Sequence, residues 1–299
     1  MSSNLKKNTV NISGILIQKE HKQGVNANGK EYLSAKLTVR VGEGEHKVEF
    51  YANKLTKDGN ISKLYDSLTT VVNDYKSAEE VGIDNADRVH ISNAEVSINR
   101  YVDDMGQLRE SRKINGKFCS RHTSGEFTEK AYFELLGVVY STQQITNEDG
   151  ELDLVKIKLI VDKGYNNQID IIEVVIREKD ALDYVVENFT KGKVLKTSGD
   201  LVNKREEVAP TKATNGFGMS KQMSKGRVVN ELLADYGDII ESLEEQEPFT
   251  METVSKQLEQ FNQKLEEIKS TPKTKPQVGF GNNSNDNKFA QVNDDVIPW

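Results

Sequence analysis

The fold is most readily predicted from residues 10–54, VNISGILIQKEHKQGVNANGKEYLSAKLTVRVGEGEHKVEFYANK. Between Tyr32 and Val41 polar and apolar residues alternate, the period of two expected of a strand with one buried face. The predicted inward set is Leu33, Ala35, Leu37, Val39 and Val41. The tetrapeptide NANG, residues 26–29, supplies the Asn and Gly that hairpin loops prefer. The stretch therefore predicts three strands joined by short turns.

The same pattern recurs in AYFELLGVVYSTQQITNEDGELDLVKIKLIVDKGYNNQIDIIEVVIREK, residues 131–179. Val155, Ile157, Leu159 and Val161 again alternate with polar residues, after the turn sequence NEDG. A helix-like stretch follows each copy, at residues 60–75 and 178–189, and strand signal then returns. The chain therefore contains an internal repeat.

Three strands, a helix and two further strands form the order of the OB-fold, a five-stranded Greek-key barrel. The expected fifth strands are RKINGKFCSR, residues 112–121, and ATNGFGMSK, residues 213–221. We predict a mainly β fold with some α, in which residues 1–125 and 126–226 form two tandem OB-fold-like five-stranded barrels. The alternative is two unrelated sheets.

The spacing of apolar residues changes after the second predicted barrel. In residues 227–269 apolar residues recur at spacings of three and four, interrupted by EEQEPFT, where Pro248 suits a turn and Thr250 suits a helix cap. This pattern predicts an acidic helical hairpin whose apolar stripe packs on the barrel or on a second copy of the chain; a partner-protein groove is the alternative. Residues 270–293 are rich in Asn, Gly, Lys and Pro without apolar periodicity, which predicts a disordered tail.

The tail, residues 270–299, finishes in NDDVIPW, which contains the only tryptophan. Carboxylates beside a branched apolar pair, a proline and an aromatic ring suit an apolar cleft with a basic rim on another protein. We therefore predict a protein-interaction tip; a tip that docks on its own helices, or that shields its own DNA groove, stays open. The predicted tip residues are Asp294, Asp295, Val296, Ile297, Pro298 and Trp299.

This tip, with predicted OB modules and a flexible linker before it, resembles bacterial and phage single-stranded DNA-binding proteins. Those proteins usually finish in several aspartates and Ile-Pro-Phe, whereas this chain has two aspartates, a Val before the Ile, and Trp for Phe. The resemblance implies a bacteriophage-encoded protein that coats single-stranded DNA during replication, recombination or repair. It also implies that replication or recombination proteins are recruited through the tip. The alternatives are a recombination mediator or annealing factor, and an adaptor that occupies a host docking pocket for such tips without binding DNA.

Single strands are held by positive grooves interleaved with aromatic faces on which bases stack. Outward positions of the first barrel with this chemistry are Tyr32, Lys36, Arg40, Lys47, Tyr51, Arg100, Tyr101, Arg109, Arg112, Lys113, Lys117, Phe118 and Arg121. The second barrel offers Lys156, Lys158, Lys204, Arg205, and then Lys212, Phe217, Lys221, Lys225 and Arg227 from an acid-free stretch interpreted as an arm over the strand.

Composition restricts the remaining functions. The net charge of −7 argues against a generic basic nucleic-acid binder, although a local positive groove remains compatible with it. Because Cys119 is the only cysteine and the N-terminus lacks an apolar signal segment, we expect a cytoplasmic protein, in the host cell if phage-encoded. No apolar run approaches the ~20 residues of a membrane helix.

The motif YVDDMG, residues 101–106, matches the Tyr-x-Asp-Asp hairpin of reverse transcriptases. Two-metal chemistry needs a further carboxylate from another strand, and none is indicated upstream, so the motif is interpreted as a turn. The four histidines lack zinc-ligand spacing, and no Walker-type phosphate loop occurs. We expect a binding protein that is not an enzyme and has no cofactor.

Overall fold

The computed structural model describes residues 8–163, 168–206, 227–240 and 251–270. The strands are β1 Asn8–Val25, β2 Glu31–Val41, β3 Gly44–Asn53, β4 Arg88–Val102, β5 Leu108–Gly116, β6 Phe118–Arg121, β7 Lys130–Thr146, β8 Leu152–Asp162, β9 Ile169–Ile176, β10 Val194–Glu206 and β11 Arg227–Ile239. The helices are α1 Lys63–Asp74, α2 Ala78–Val81, α3 Lys179–Asn188 and α4 Met251–Ser270.

The first barrel closes in the order β1-β2-β3-β5-β4 and back to β1. The β3–β5 pair is parallel and the other pairs are antiparallel, as in an OB-fold. The alternating residues predicted to face inward from β2 are buried, except Val41, which is half-buried at the strand end. Helix α1 closes one end of the barrel with Leu68, Val71 and Val72.

The second barrel repeats the ring as β7-β8-β9-β11-β10 and back to β7. Here β9 meets β11 at a single parallel bridge, Val175 to Leu233. The predicted mainly β fold with two five-stranded OB-like barrels is therefore confirmed, although one boundary of the second barrel was placed incorrectly.

The fifth strand of the second barrel is Arg227–Ile239, not residues 213–221, which lie outside the described residues. The prediction that this segment is the first helix of an acidic hairpin is therefore wrong. Its register with β10 runs from Leu195 opposite Ile239 to Glu206 opposite Arg227, with a bulge between Ser198 and Gly199. This pairing provides hydrogen-bond partners for the backbone N–H and C=O groups along the edge of β10 and closes the barrel. The segment is therefore a strand although its apolar residues have helical spacing.

Two glycines fix the correspondence between the barrels. A Cβ on Gly14 would lie 2.2 Å from the Arg40 carbonyl oxygen, and one on Gly137 would lie 2.6 Å from that of Ile160. No side chain fits at either position, because the first strand bends there directly over its neighbour. Gly14 and Gly137 are thus equivalent positions, followed by equivalent bulges between Leu16 and Gln18 and between Val139 and Ser141.

The barrels are joined by antiparallel pairing of β1 with β7, from Asn8 opposite Leu135 to Ser13 opposite Lys130. Given the equivalence of Gly14 and Gly137, Val10 lies opposite its own counterpart, Phe133. A pair of equivalent residues facing each other across an antiparallel ladder defines a local two-fold axis. The chain therefore pairs its two barrels in the way that two identical subunits pair.

A buried ion pair adds a second connection between the barrels. The Arg100 guanidinium, on β4, donates through Nη1 to Asp170 Oδ1 on β9 at 2.6 Å, and both side chains are almost fully buried. The other carboxylate oxygen of Asp170 accepts from the Ile98 backbone N–H at 2.8 Å. Residues of both barrels thus share one desolvated polar contact.

Helix α4 confirms the second half of the predicted hairpin. Its Val254, Leu258 and Phe261 pack on an apolar patch on the outer face of the second barrel, formed by Leu136, Val138, Ile160, Ile169 and Val194. The helix therefore packs the N-terminal part of its apolar stripe against its own chain, which is the first of the two predicted alternatives. The predicted tail and tip, residues 271–299, lie outside the described residues.

Candidate nucleic-acid interface

Two tyrosines form a stacked pair on the outer face of the first barrel. Tyr32 on β2 and Tyr51 on β3 have ring centroids 5.2 Å apart and planes 21° from parallel. Both point outward because they alternate with inward residues of their strands, and both are partly exposed. Aromatic rings displayed on this face provide planar surfaces on which bases stack.

The ring of Tyr32 packs against a glycine of the neighbouring strand. Gly24 of β1 lies opposite Tyr32 in the strand register, and a Cβ there would stand 3.1 Å from Tyr32 Oη and 3.2 Å from two ring carbons. The ring therefore lies against bare backbone, which is a recurrent role of glycine within strands. The sequence analysis did not select Gly24; a glycine inside a predicted strand beside aromatic residues is the signal that would have found it.

Lysines extend this surface along the same strands. Lys36 on β2 and Lys47 on β3 point outward, and neither forms an ion pair within the part of the chain that the structure describes. Lys113 of β5 reaches the same face, where its Nζ lies 2.8 Å from Glu49 Oε2. Lys36 lies between Glu20 and Glu49 in the register, so the face is mixed in charge, with two cations uncompensated at short range.

Arg40, which was also predicted to contact DNA, lies at the far end of the outer face of β2. Its Nε is buried and has no hydrogen-bond partner among the described residues. The outer face of the first barrel thus brings together Tyr32, Tyr51, Lys36, Lys47 and Arg40 along two strands, as the alternation predicted.

The β4–β5 hairpin places a second small group away from these strands. Tyr101 and Arg109 lie opposite each other in the register and are both exposed. Between them Asp103 accepts from the backbone N–H groups of Met105 and Gln107, at 2.9 Å each, and pairs with Arg109 at 2.7 Å. The N–H of Gln107, together with Arg109, lowers the pKa of Asp103. The Asp-Asp-Met-Gly motif is a turn in this fold.

Two arginines predicted to face solvent have other roles. Arg100 is buried with Asp170, and the Phe261 ring of α4 lies 4.7 Å from its guanidinium carbon. Arg112 donates to the Asn230 side chain of β11 at the junction between the barrels. Burial lowers the pKa of Arg112 to about 10, against the opposing effect of Glu231. Sequence alternation identified neither role, because the second barrel covers outward positions of these strands.

The remaining first-barrel residues lie near β6. Lys117 pairs with Glu95, and Phe118 is 47% exposed. Arg121 holds α1 against β6, since it donates to the Asp74 carbonyl oxygen, pairs with Asp87 at 3.0 Å and lies 4.5 Å from the Tyr75 ring centre. Arg121 is thus a packing residue, whereas Lys117 and Phe118 are on the surface, and Lys117 directly follows Gly116, which pairs with Phe50 next to Tyr51.

The second barrel presents a different set. Lys156 pairs with Glu173 at 2.9 Å, and Lys158 is exposed in the next outward position of β8. Lys204 and Arg205 are exposed near the end of β10, and Arg227 begins β11. Lys212, Phe217, Lys221 and Lys225 lie outside the described residues.

The cysteine and two of the histidines, residue types that often act in catalysis or bind metals, are packed against other residues of the protein. Cys119 is buried on β6, and burial raises the pKa of its thiol to about 12. His90 and His122 hydrogen-bond through ring nitrogens 3.1 Å apart and pack on Phe127. Within residues 8–163, 168–206, 227–240 and 251–270 no three His, Cys, Asp or Glu side chains are grouped to hold a metal. Of the helices in these ranges, none has the length and apolar character needed to cross a membrane.

Solved structures place the fold in a known class. A deletion variant of the single-stranded DNA-binding protein from Thermus aquaticus superposes with a TM-score of 0.50 at 14% identity, over 79% of this chain and 95% of that one. The wild-type Thermus aquaticus protein gives 0.46 at 13% identity, over 79% and 93%. The Plasmodium falciparum protein in complex with single-stranded DNA gives 0.24 at 16% identity, over 39% and 97%. The first likeness shows that this chain shares its fold with that Thermus aquaticus protein.

The family follows from the sequence. A family model described as YorF matches residues 6–271, and the chain belongs to this YorF family. No curated protein matches the chain significantly.

Proposed function

We propose that this protein binds single-stranded DNA on the outer face of its first barrel, without catalysing a reaction. The observation that carries the proposal is the stacked pair of Tyr32 and Tyr51 beside Lys36 and Lys47. Aromatic planes next to cations match the bases and phosphates of an unpaired strand, and they fit every base equally. The likeness of the fold to a single-stranded DNA-binding protein supports the same function.

The proposed setting is DNA replication, recombination or repair in the cytoplasm, in a host cell if the protein is phage-encoded. There the protein coats exposed strands, and residues 294–299 recruit replication or recombination proteins. The support for recruitment is the chemistry of the tip, which combines carboxylates with Ile297, Pro298 and Trp299.

The test is fluorescence anisotropy of a labelled oligothymidine, titrated with the full chain and with a version that ends at Asn293, at two salt concentrations. We expect salt-sensitive binding with a logarithmic slope of roughly −1 to −3, at about −0.7 per contacted phosphate, because few lysines on the face are uncompensated. Binding should persist without the tip. Tyr51→Ala should weaken it by about 1–3 kcal/mol for the loss of one stacked base.

Failure of both versions to bind would overturn the proposal and leave the adaptor function, in which the tip captures a partner without DNA. Acceleration of pairing between complementary strands would instead identify an annealing factor that uses the same face. Loss of binding only in the shortened version would move the DNA contact away from the barrel.

A further inference from the structure

The two barrels can be compared position by position. The register places Tyr32 of the first barrel at the position of Leu152 in the second, and continuing it one residue beyond β9 places Tyr51 at the position of Arg177. Arg177 is held by both carboxylate oxygens of Glu231, at 2.8 and 2.9 Å. Among the residues that the structure describes, the second barrel thus has no stacked aromatic pair at the equivalent place.

The lysines at equivalent outward positions also differ between the two barrels. Lys36 corresponds to Lys156, but Lys156 is neutralised by Glu173 at 2.9 Å, whereas Lys36 has no ion pair with any described residue. Lys47 corresponds to Glu173 itself, so a positive charge on one barrel is replaced by a negative charge on the other. On the first barrel Lys36 and Lys47 can therefore contact phosphates, whereas on the second barrel Lys156 is engaged by Glu173 and Lys158 is the exposed cation of β8.

The far end of the outer face shows what the second barrel does instead. Leu136, Val138, Ile160 and Val194 form an apolar seat for α4, covered by Val254, Leu258 and Phe261. The equivalent residues of the first barrel are Ser13, Ile15, Arg40 and Arg88. A helix with an apolar stripe is stabilised on the apolar residues of the second barrel. On the first barrel it would bury Arg40 and Arg88, which would desolvate two charges.

We propose that the two barrels are unequal: a single strand binds the outer face of the first barrel at the tyrosine pair, whereas the described part of the second barrel has no such pair and seats α4 at the far end of its outer face. This inference rests on the proposed function and specifies where on the molecule it takes place. The two-fold pairing of β1 with β7 makes the barrels comparable position by position, and the outward residues that differ between them distinguish the two surfaces.

The repeat provides its own matched control. In the full chain, Lys36→Gln and Lys156→Gln remove one lysine from equivalent positions of the two barrels, and neither side chain is buried. Affinity for an oligothymidine of about ten nucleotides, within the ~4–16 covered by one OB-fold, is measured as a function of salt. Lys36→Gln should weaken binding several-fold and reduce the logarithmic salt slope by about 0.7, whereas Lys156→Gln should change neither. Titration to saturation should give one oligonucleotide per chain.

Equal effects of the two substitutions, or saturation at two oligonucleotides per chain, would overturn the inequality while leaving DNA binding established. No binding by the unsubstituted chain would instead overturn the proposed function. Thermal unfolding of both variants confirms that any difference arises from binding, because an unfolded Lys36→Gln variant would also lose affinity.

Discussion

Gly24 contributes to the proposed site because it has no side chain. Its absent Cβ lets the Tyr32 ring lie 3.1–3.2 Å from the position that a methyl group would occupy, so the ring packs on β1 and stacks with Tyr51. A methyl group there must push the ring by a few tenths of an ångström. The position therefore controls the orientation of the proposed base platform without touching DNA.

We predict that Gly24→Ala weakens oligothymidine binding by a part of the roughly 1–3 kcal/mol attributed to a stacked base, with little change in thermal stability. In a Tyr32→Ala background the same substitution should have almost no further effect, because the ring that it displaces is gone. A double-mutant cycle measured by anisotropy tests this coupling. An identical loss in both backgrounds would show that Gly24 acts independently of Tyr32.

His46 makes the stability of the protein depend on pH. It is buried on β3, and burial, together with the charge of Arg112, lowers its pKa to about 4. An imidazole in the unfolded chain takes up a proton below about pH 6.5. The unfolded state therefore binds more protons between pH 6.5 and 4, so this contribution is complete above pH 6.5 and is lost progressively as the pH falls to about 4.

The loss attributable to His46 is about 3 kcal/mol across this window. His46→Gln should remove that part of the acid sensitivity, so urea unfolding at pH 7 and pH 4.5 should differ less for the variant than for the natural chain. Comparing the two chains cancels the contribution of the carboxylates that titrate in the same range. Parallel pH profiles would show that His46 does not titrate differently on folding.

At the scale of elements, α4 depends on the apolar seat of the second barrel. Val254 is almost fully buried there, whereas Gln260 on the same helix is exposed. Val254→Glu would place a carboxylate in the seat, which costs several kcal/mol unless the helix detaches. Gln260→Glu adds the same side chain on the solvent face.

We predict that hydrogen exchange of residues 251–270 accelerates strongly in Val254→Glu and stays unchanged in Gln260→Glu. DNA affinity should be equal in both, because the tyrosine pair lies on the other barrel. Retained protection in Val254→Glu would mean that α4 does not depend on this contact.

At the scale of the whole molecule, the ion pair of Arg100 and Asp170 ties the unfolding of one barrel to that of the other. Asp170→Asn removes the buried carboxylate and leaves the buried Arg100 guanidinium paired only with the half-exposed Glu110; removal of one partner of a buried pair costs about 3–5 kcal/mol. Glu110→Gln removes the other carboxylate of Arg100, which is 55% exposed, and should cost less than about 1 kcal/mol.

Scanning calorimetry should show a single transition for the natural chain and for Glu110→Gln, and a lower or split transition for Asp170→Asn. A cooperative transition at an unchanged temperature in Asp170→Asn would show that the β1–β7 ladder alone couples the barrels.

Local features of this protein follow from its sequence without knowledge of the fold. Alternation in residues 10–54 and 131–179 sets strands with one buried face, and the turn residues NANG and NEDG set where they reverse, because both signals act between near neighbours. The same alternation placed Tyr32, Lys36, Lys47 and Tyr51 on one outer surface, since position in a strand decides which face a side chain takes.

The remaining features depend on pairing between residues that are distant in the sequence, and they are visible only in the folded structure. Residues 227–239 became a strand because the edge of β10 needed a partner, which local spacing cannot reveal. Arg100 and Arg112 are removed from solvent because the second barrel covers them. Lys156 forms an ion pair with Glu173 on a neighbouring strand. Each outcome depends on a residue distant in sequence, so burial and charge compensation became visible only when the two rings of strands had closed and paired.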